Sequence, residues 1–183
     1  MGTNGSTMLE PLRQGLPPLD PAAVAGAASC ALPARYEAVR EARRFTRGTL
    51  DQWELSDRFD DICLVVSELV TNALRHGLPL DRRRPADEDP GAACHAPVPA
   101  TSLHATGSHV RLHLLRWPER LVCAVRDPSR ESPVARGTED FSAESGRGLF
   151  LVDSFSDSWG WHPLAGALHG KVVWALFRLG PAG

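Results

Sequence analysis

The longest regular pattern of apolar positions lies in residues 61–77, DICLVVSELVTNALRHG. The apolar residues recur every three to four positions, which predicts a core helix that buries one stripe. They are Ile62, Val65, Val66, Leu69, Val70 and Ala73. Glu68, Asn72 and His76 are spaced by four residues, so they share one edge of this helix beside the buried stripe. This edge either lines a cavity or forms an ordinary solvated flank that ends at Gly77.

The remaining periodic segments predict a second helix and several strands. Helical spacing covers residues 34–55, after Pro33. Residues 110–114 alternate between apolar and polar, and LVCAVRD at 121–127 is nearly all apolar, which together predict a hairpin. A short helix is expected at LFLVDSF, followed by two strand-like segments that start at Ser156 and His169. The pattern is that of an α+β domain with a mostly antiparallel sheet.

Two segments lack any sustained apolar pattern. Residues 1–33 are rich in Gly, Pro, Ala and Ser, which predicts a flexible N-terminal tail. Residues 78–108 have a similar composition and are expected to form a flexible insertion within a domain at 34–181. Histidines in and beside this insertion match no common spacing of metal ligands, so a metal site is not favoured there.

Composition excludes several classes of protein. The net charge of −2 and the pI near 6.4 argue against direct nucleic-acid binding. No apolar run approaches the roughly 20 residues needed to cross a bilayer, and the N-terminus has no apolar signal core. We therefore expect a soluble, cytoplasmic protein without membrane contact. The four scattered cysteines indicate neither a disulfide framework nor a zinc site.

Two further positions are candidates for binding chemistry. Asp127 ends the apolar strand directly before Pro128, where it either displays a carboxylate for a ligand or only initiates a turn. Gly146 and Gly148 flank Arg147 at the start of the short helix, where backbone N–H groups can approach an anion. A loop that uses glycine only to turn explains the same residues.

Taken together and in this order, the motifs resemble those of the GHKL or Bergerat-fold ATP-binding domains. SELVTNALRHG is similar to the N box of that family, VRDPSRESP to its first glycine box and ESGRGLFLVD to its second. HGKVVW stands where the third would be. The resemblance implies a two-layer α/β sandwich with a mostly antiparallel mixed sheet, covered by helices on one face.

The resemblance also implies residue roles and cofactors. Glu68 would act as the general base, and Asn72 would coordinate the Mg²⁺ that bridges the phosphates of ATP. Asp127 would accept a hydrogen bond from the adenine amino group, and His76 would have a supporting role. Gly146, Arg147 and Gly148 would form part of a mobile lid over the phosphates.

Within this superfamily the chain looks most like the anti-sigma-factor serine/threonine kinases. A histidine kinase would need a phosphoacceptor helix, which the irregular segment before Pro33 does not supply. The resemblance implies a sigma factor and an antagonist protein as partners. It leaves open the homodimer that is common in this branch. An alternative is a nucleotide-binding module that sequesters a regulator without kinase activity. Glu68 and Asn72 favour the kinase, whereas three departures from the family pattern leave room for the alternative: Ser129, Glu144 and Lys171.

Overall fold

The computed structural model of the chain describes residues 20–35, 37–76, 110–133, 147–164 and 169–180. Within these ranges there are three helices: α1 (Glu37–Gln52), α2 (Phe59–His76) and α3 (Arg147–Phe155). The same ranges contain five strands: β1 (Gly26–Leu32), β2 (Val110–Trp117), β3 (Arg120–Asp127), β4 (Ser158–Pro163) and β5 (Lys171–Arg178). Short 3-10 helices cover Pro21–Ala23 and Ser56–Arg58. The insertion predicted at 78–108 lies outside the described residues.

The five strands form one sheet in the order β1-β2-β3-β5-β4. Strands β2 and β3 pair as the predicted hairpin, with Trp117 opposite Arg120. All neighbouring strands in this sheet are antiparallel. The mixed sheet expected from the resemblance is therefore corrected, for the part of the chain described, to a fully antiparallel one.

Strand β1 corrects the predicted tail. Residues 1–33 were expected to be flexible, but Gly26–Leu32 pairs along its whole length with β2. Only Cys30 and Leu32 of this strand are buried, so its sequence of small residues shows no regular alternation. The edge of β2 that faces away from β3 supplies the hydrogen-bonding partners that hold this weakly patterned segment in place. Residues 1–19 lie outside the description.

The buried stripe predicted for α2 is confirmed. All six of its apolar residues named above are at most 3% exposed. They share one core with α1, α3 and one face of the sheet, which includes Leu112, Cys123 and Phe177. Burying a side chain of this size contributes about 1.5 to 3 kcal/mol, so α2 is anchored over most of its length. The helices thus cover one face of an antiparallel sheet in an α+β domain.

The opposite face of the sheet is apolar as well and holds a second buried cluster. Its members come mainly from β2, β3 and β5: Leu115, Trp117, Val122, Ala124, Leu164, Val172, Trp174 and Leu176. Trp174 lies across Gly160 of β4, where an added Cβ atom would come within 2.7 Å of the indole ring.

The described helices include none that is long and apolar enough for a membrane span.

Candidate functional site

Three polar side chains follow one edge of α2, as the four-residue spacing predicted. Glu68 and Asn72 are partly buried, whereas His76 in the last turn is exposed. A rise of 1.5 Å per residue separates the Cα atoms of Glu68 and His76 by roughly 12 Å along the helix axis. The edge is long enough to contact two different parts of one elongated ligand.

The first turn of α3 packs directly against this edge. A Cβ atom added to Gly148 would lie 2.8 Å from Glu68 Oε2 and 3.3 Å from both Nδ2 and Oδ1 of Asn72. Only glycine permits this approach without displacing a neighbour. The first backbone N–H groups of a helix lack partners within the helix and attract anions. A carboxylate, a carboxamide and a helix N-terminus therefore meet at one point.

Asn72 has unused hydrogen-bonding capacity at this point. Its Nδ2 atom is buried, and no described residue accepts a hydrogen bond from it. A buried amide donor without a partner is destabilising by about 1 to 3 kcal/mol, so its retention needs an explanation. Rotation of the carboxamide can present either Nδ2 to a phosphate oxygen or Oδ1 to a cation. The side chain fits a magnesium phosphate ligand.

The environment of Glu68 makes its carboxylate a stronger base. Burial raises the pKa of Glu68 above its usual range, and the charge of Arg75 partly opposes that rise. A carboxylate with a raised pKa binds a proton more readily and is better suited to accept one from a hydroxyl group. This property agrees with the role expected from the sequence without testing it.

A second polar site lies where β3 ends and β5 begins. Asp127 and Lys171 are opposite each other in the two strands. Lys171 Nζ lies 2.9 Å from Asp127 Oδ1, and the two side chains are 4% and 1% exposed, respectively. Lys171 is also the single lysine of the chain. Asp127, which was expected to bind the adenine amino group, is therefore already held in a buried ion pair.

The backbone around Asp127 is shaped by its two neighbours in this site. The N–H group of Ser129 donates to Asp127 Oδ1 at 2.9 Å, which forms a local turn. Gly170 has a φ of 110°, and an added Cβ atom would lie 2.0 Å from the carbonyl oxygen of Asp127. The φ of Ser129 is not positive, because Glu54 is the sole non-glycine residue with positive φ among the described residues. The turn therefore does not require glycine at position 129.

Electrostatics link this second site to the end of α2. Burial raises the pKa of Asp127, while Lys171, the Ser129 N–H group and the charge of His76 oppose the rise. His76 is thus close enough to influence the Asp127 carboxylate. The two polar sites lie towards opposite ends of the same helix edge, with Glu68 near one end and His76 near the other.

Some predicted residues cannot be compared with the structure. Gly146 and Glu144 lie outside the described residues, as does the side chain of Arg147, whose backbone begins α3. Across the described ranges, no group of three or more His, Cys, Asp and Glu side chains could hold a metal ion. A cation held chiefly by phosphate oxygens and one carboxamide does not require such a group.

Sequence reasoning missed the contact between Asp127 and Lys171. The two residues are 44 positions apart, and their pairing depends on the register of β5 against β3. The signal that was available is the chain's single lysine, placed at the start of an apolar strand. Lysine is rarely buried without a partner, so its position directly before the apolar residues VVWALF indicates a carboxylate nearby.

No family model and no curated protein matches this chain. The described residues define an α+β domain in which two polar sites adjoin one edge of a buried helix. Its function is therefore argued from the chemistry of those sites.

Proposed function

We propose that the chain is an ATP-binding domain of the GHKL or Bergerat class and a serine/threonine protein kinase of the anti-sigma-factor type. The observation that carries the proposal is the contact of Gly148 with Glu68 and Asn72. Motifs that resemble an N box and a second glycine box meet there, around an amide with unused hydrogen-bonding capacity. This is the chemistry that a phosphate-bearing ligand requires.

In this proposal the two ends of the α2 edge hold the two ends of the nucleotide. Asp127 and the adjacent Lys171 bind the base, and the backbone near Gly148 binds the phosphates together with Asn72. Asn72 Oδ1 is the residue atom that would hold a magnesium ion, which neutralises phosphate charge when bound. Close packing of α3 against α2 holds Gly148 beside Glu68 and Asn72.

Glu68 performs the proton transfer. Its carboxylate accepts the proton of a serine hydroxyl on the partner protein as that oxygen forms a bond to the γ-phosphorus. The bond between the γ-phosphorus and the bridging oxygen of ADP breaks in the same displacement. Phosphoserine and ADP leave, and the proton on Glu68 passes to solvent. The raised pKa of Glu68 favours this step.

The same proposal assigns the setting in which the protein works. It would act in the cytoplasm, as a possible homodimer, with a sigma factor and an antagonist protein as partners. Phosphorylation of a serine on the antagonist would change which partner is bound. No direct contact with nucleic acid is part of this proposal.

A specific observation favours a second candidate, a nucleotide-binding partner-switching module without kinase activity. Asp127 is proposed to bind the adenine base, but its Oδ1 atom already accepts hydrogen bonds from Lys171 Nζ and from the Ser129 N–H group. If that pair closes the base site, the domain regulates its partner by sequestration alone.

Incubation with γ-labelled ATP and each candidate antagonist tests the two candidates. The kinase proposal predicts label on a serine of one antagonist, and a loss of roughly 100-fold or more in rate for Glu68→Gln. Glu119→Gln is a matched control, since Glu119 is exposed in the turn between β2 and β3, and only its backbone carbonyl is hydrogen-bonded among the described residues. An antagonist that binds tightly but never acquires label supports the sequestration candidate instead.

A further inference from the structure

The buried pair of Asp127 and Lys171 retains hydrogen-bonding capacity that the described residues do not use. Asp127 Oδ1 accepts from both Lys171 Nζ and the Ser129 N–H group, at 2.9 Å each. No described residue donates to Asp127 Oδ2, and Lys171 donates to no second described acceptor. An ammonium group has three donors, so one acceptor atom leaves it incompletely satisfied. The pair therefore presents an acceptor and a charged donor side by side.

This arrangement complements the edge of a purine base. Adenine presents an N–H donor on N6 beside an acceptor at N1. Asp127 Oδ2 can accept from N6 while Lys171 Nζ donates to N1. Guanine presents two neighbouring N–H donors, at N1 and N2, which together need both oxygens of one carboxylate. Oδ1 is occupied twice already, so the pair suits adenine better than guanine.

We propose that Lys171 is a specificity-determining residue that donates a charge-assisted hydrogen bond to N1 of a 6-aminopurine bound at Asp127. The proposal rests on the nucleotide-binding function proposed above and names the atom of the base that this chain reads. It also gives a role to the chain's single lysine, which lies 3% exposed in a strand of apolar residues. The bend at Gly170, against the Asp127 carbonyl, positions the lysine for this role.

Base analogues test the proposal on the unmodified protein. Calorimetric titrations would compare ADP with 1-deaza-ADP, which lacks N1, and with 7-deaza-ADP, which lacks a nitrogen on the other edge. Hydrogen bonds to charged groups are strong, so 1-deaza-ADP should bind about 10- to 100-fold more weakly than ADP. 7-Deaza-ADP should bind within about threefold of ADP, and GDP at least about 10-fold more weakly. Lys171→Met should bind ADP and 1-deaza-ADP equally.

A spectroscopic measurement separates this role from a structural one. Because the chain has one lysine, ¹⁵N-lysine labelling gives a single side-chain Nζ resonance. ADP should shift that resonance strongly, and 1-deaza-ADP at saturation should shift it much less. Both readouts use the parent protein, so unfolding of Lys171→Met would not weaken the test.

The outcomes distinguish this inference from the proposed function. Equal affinity of the parent for ADP and 1-deaza-ADP, with equal shifts of the lysine resonance, overturns the role of Lys171 while nucleotide binding stands. GDP that binds as tightly as ADP overturns the assignment to adenine. Failure of the parent to bind any of the nucleotides refutes the proposed function itself.

Discussion

Gly148→Ala should separate the function of this domain from its stability. The added Cβ atom would lie 2.8 Å from Glu68 Oε2, about 0.6 Å short of the 3.4 Å at which ordinary contact begins. The atom that must move is the end of a flexible side chain, so the fold can accommodate the change. Alanine is also favoured over glycine in helices by up to about 1 kcal/mol. We expect the free energy of unfolding to remain within about 1 kcal/mol of the parent, which corresponds to about 2 to 4 °C in Tm.

Binding should respond much more strongly. The methyl group displaces Glu68 and crowds both polar atoms of Asn72, each 3.3 Å from the added carbon. Misplacement of a site group by about 1 Å can reduce activity by roughly 100-fold, so a shift of this size should weaken Mg-ATP binding by about 10-fold. Calorimetric titration measures the affinity, and thermal unfolding followed by circular dichroism measures the stability.

Gly48→Ala provides the matched control. Gly48 lies in α1, where an added Cβ atom meets nothing within 4 Å. This variant should be stabilised by up to about 1 kcal/mol and should bind Mg-ATP as the parent does. If Gly148→Ala binds Mg-ATP with the affinity of the parent, the Gly148 contact is not part of the phosphate site. A collapse of its Tm would instead show that the contact is structural.

Two further predictions concern stability. Burial, with the charges of Arg111 and Arg126, lowers the pKa of His113 to about 3. Because the folded-state pKa lies below the unfolded value near 6.5, stability is full above about pH 6.5 and declines as the pH falls towards 3. Denaturant unfolding at about pH 5 should show a loss of about 2 kcal/mol that is absent from His113→Leu; an equal loss in both would contradict the assignment. Gly170→Ala should destabilise the domain by about 2 to 4 kcal/mol, because the φ of Gly170 is positive and the Asp127 carbonyl occupies the space of the added Cβ atom. Gly180→Ala is the control and should be neutral, since a Cβ atom added there meets nothing within 4 Å. Similar midpoints for these two glycine variants would show that the turn before β5 relaxes freely.

The sequence was most informative where one face of an element is buried. The stripe on α2 states which side meets the core, and this helix was predicted near its observed bounds. The alternation at residues 110–114 predicted a strand, but β2 extends to Trp117 and is buried on both faces. Strand β1 was missed because its Ala, Ser and Gly residues carry little apolar signal. Its structure comes from pairing with the edge of β2, which no local pattern reveals.

The candidate site was predictable along one helix and not across the sheet. The spacing of Glu68, Asn72 and His76 follows from helix geometry alone. The meeting of Gly148 with Asn72 depends on how α3 packs against α2, and the partner of Lys171 depends on the register of β5. Both are tertiary relations between residues far apart in the chain. They required the structure, and both change the chemistry assigned to the site.

Mg-ATP titration of the parent, Asn72→Ala and Glu68→Gln tests the central claim most directly. Asn72 is proposed to hold the metal and phosphates in the ground state, so Asn72→Ala should abolish magnesium-dependent binding. Glu68 is proposed to act on proton transfer, so Glu68→Gln should bind Mg-ATP within about threefold of the parent while losing phosphotransfer. A parent that shows no saturable ATP binding, or an Asn72→Ala variant that binds Mg-ATP as the parent does, would contradict the account.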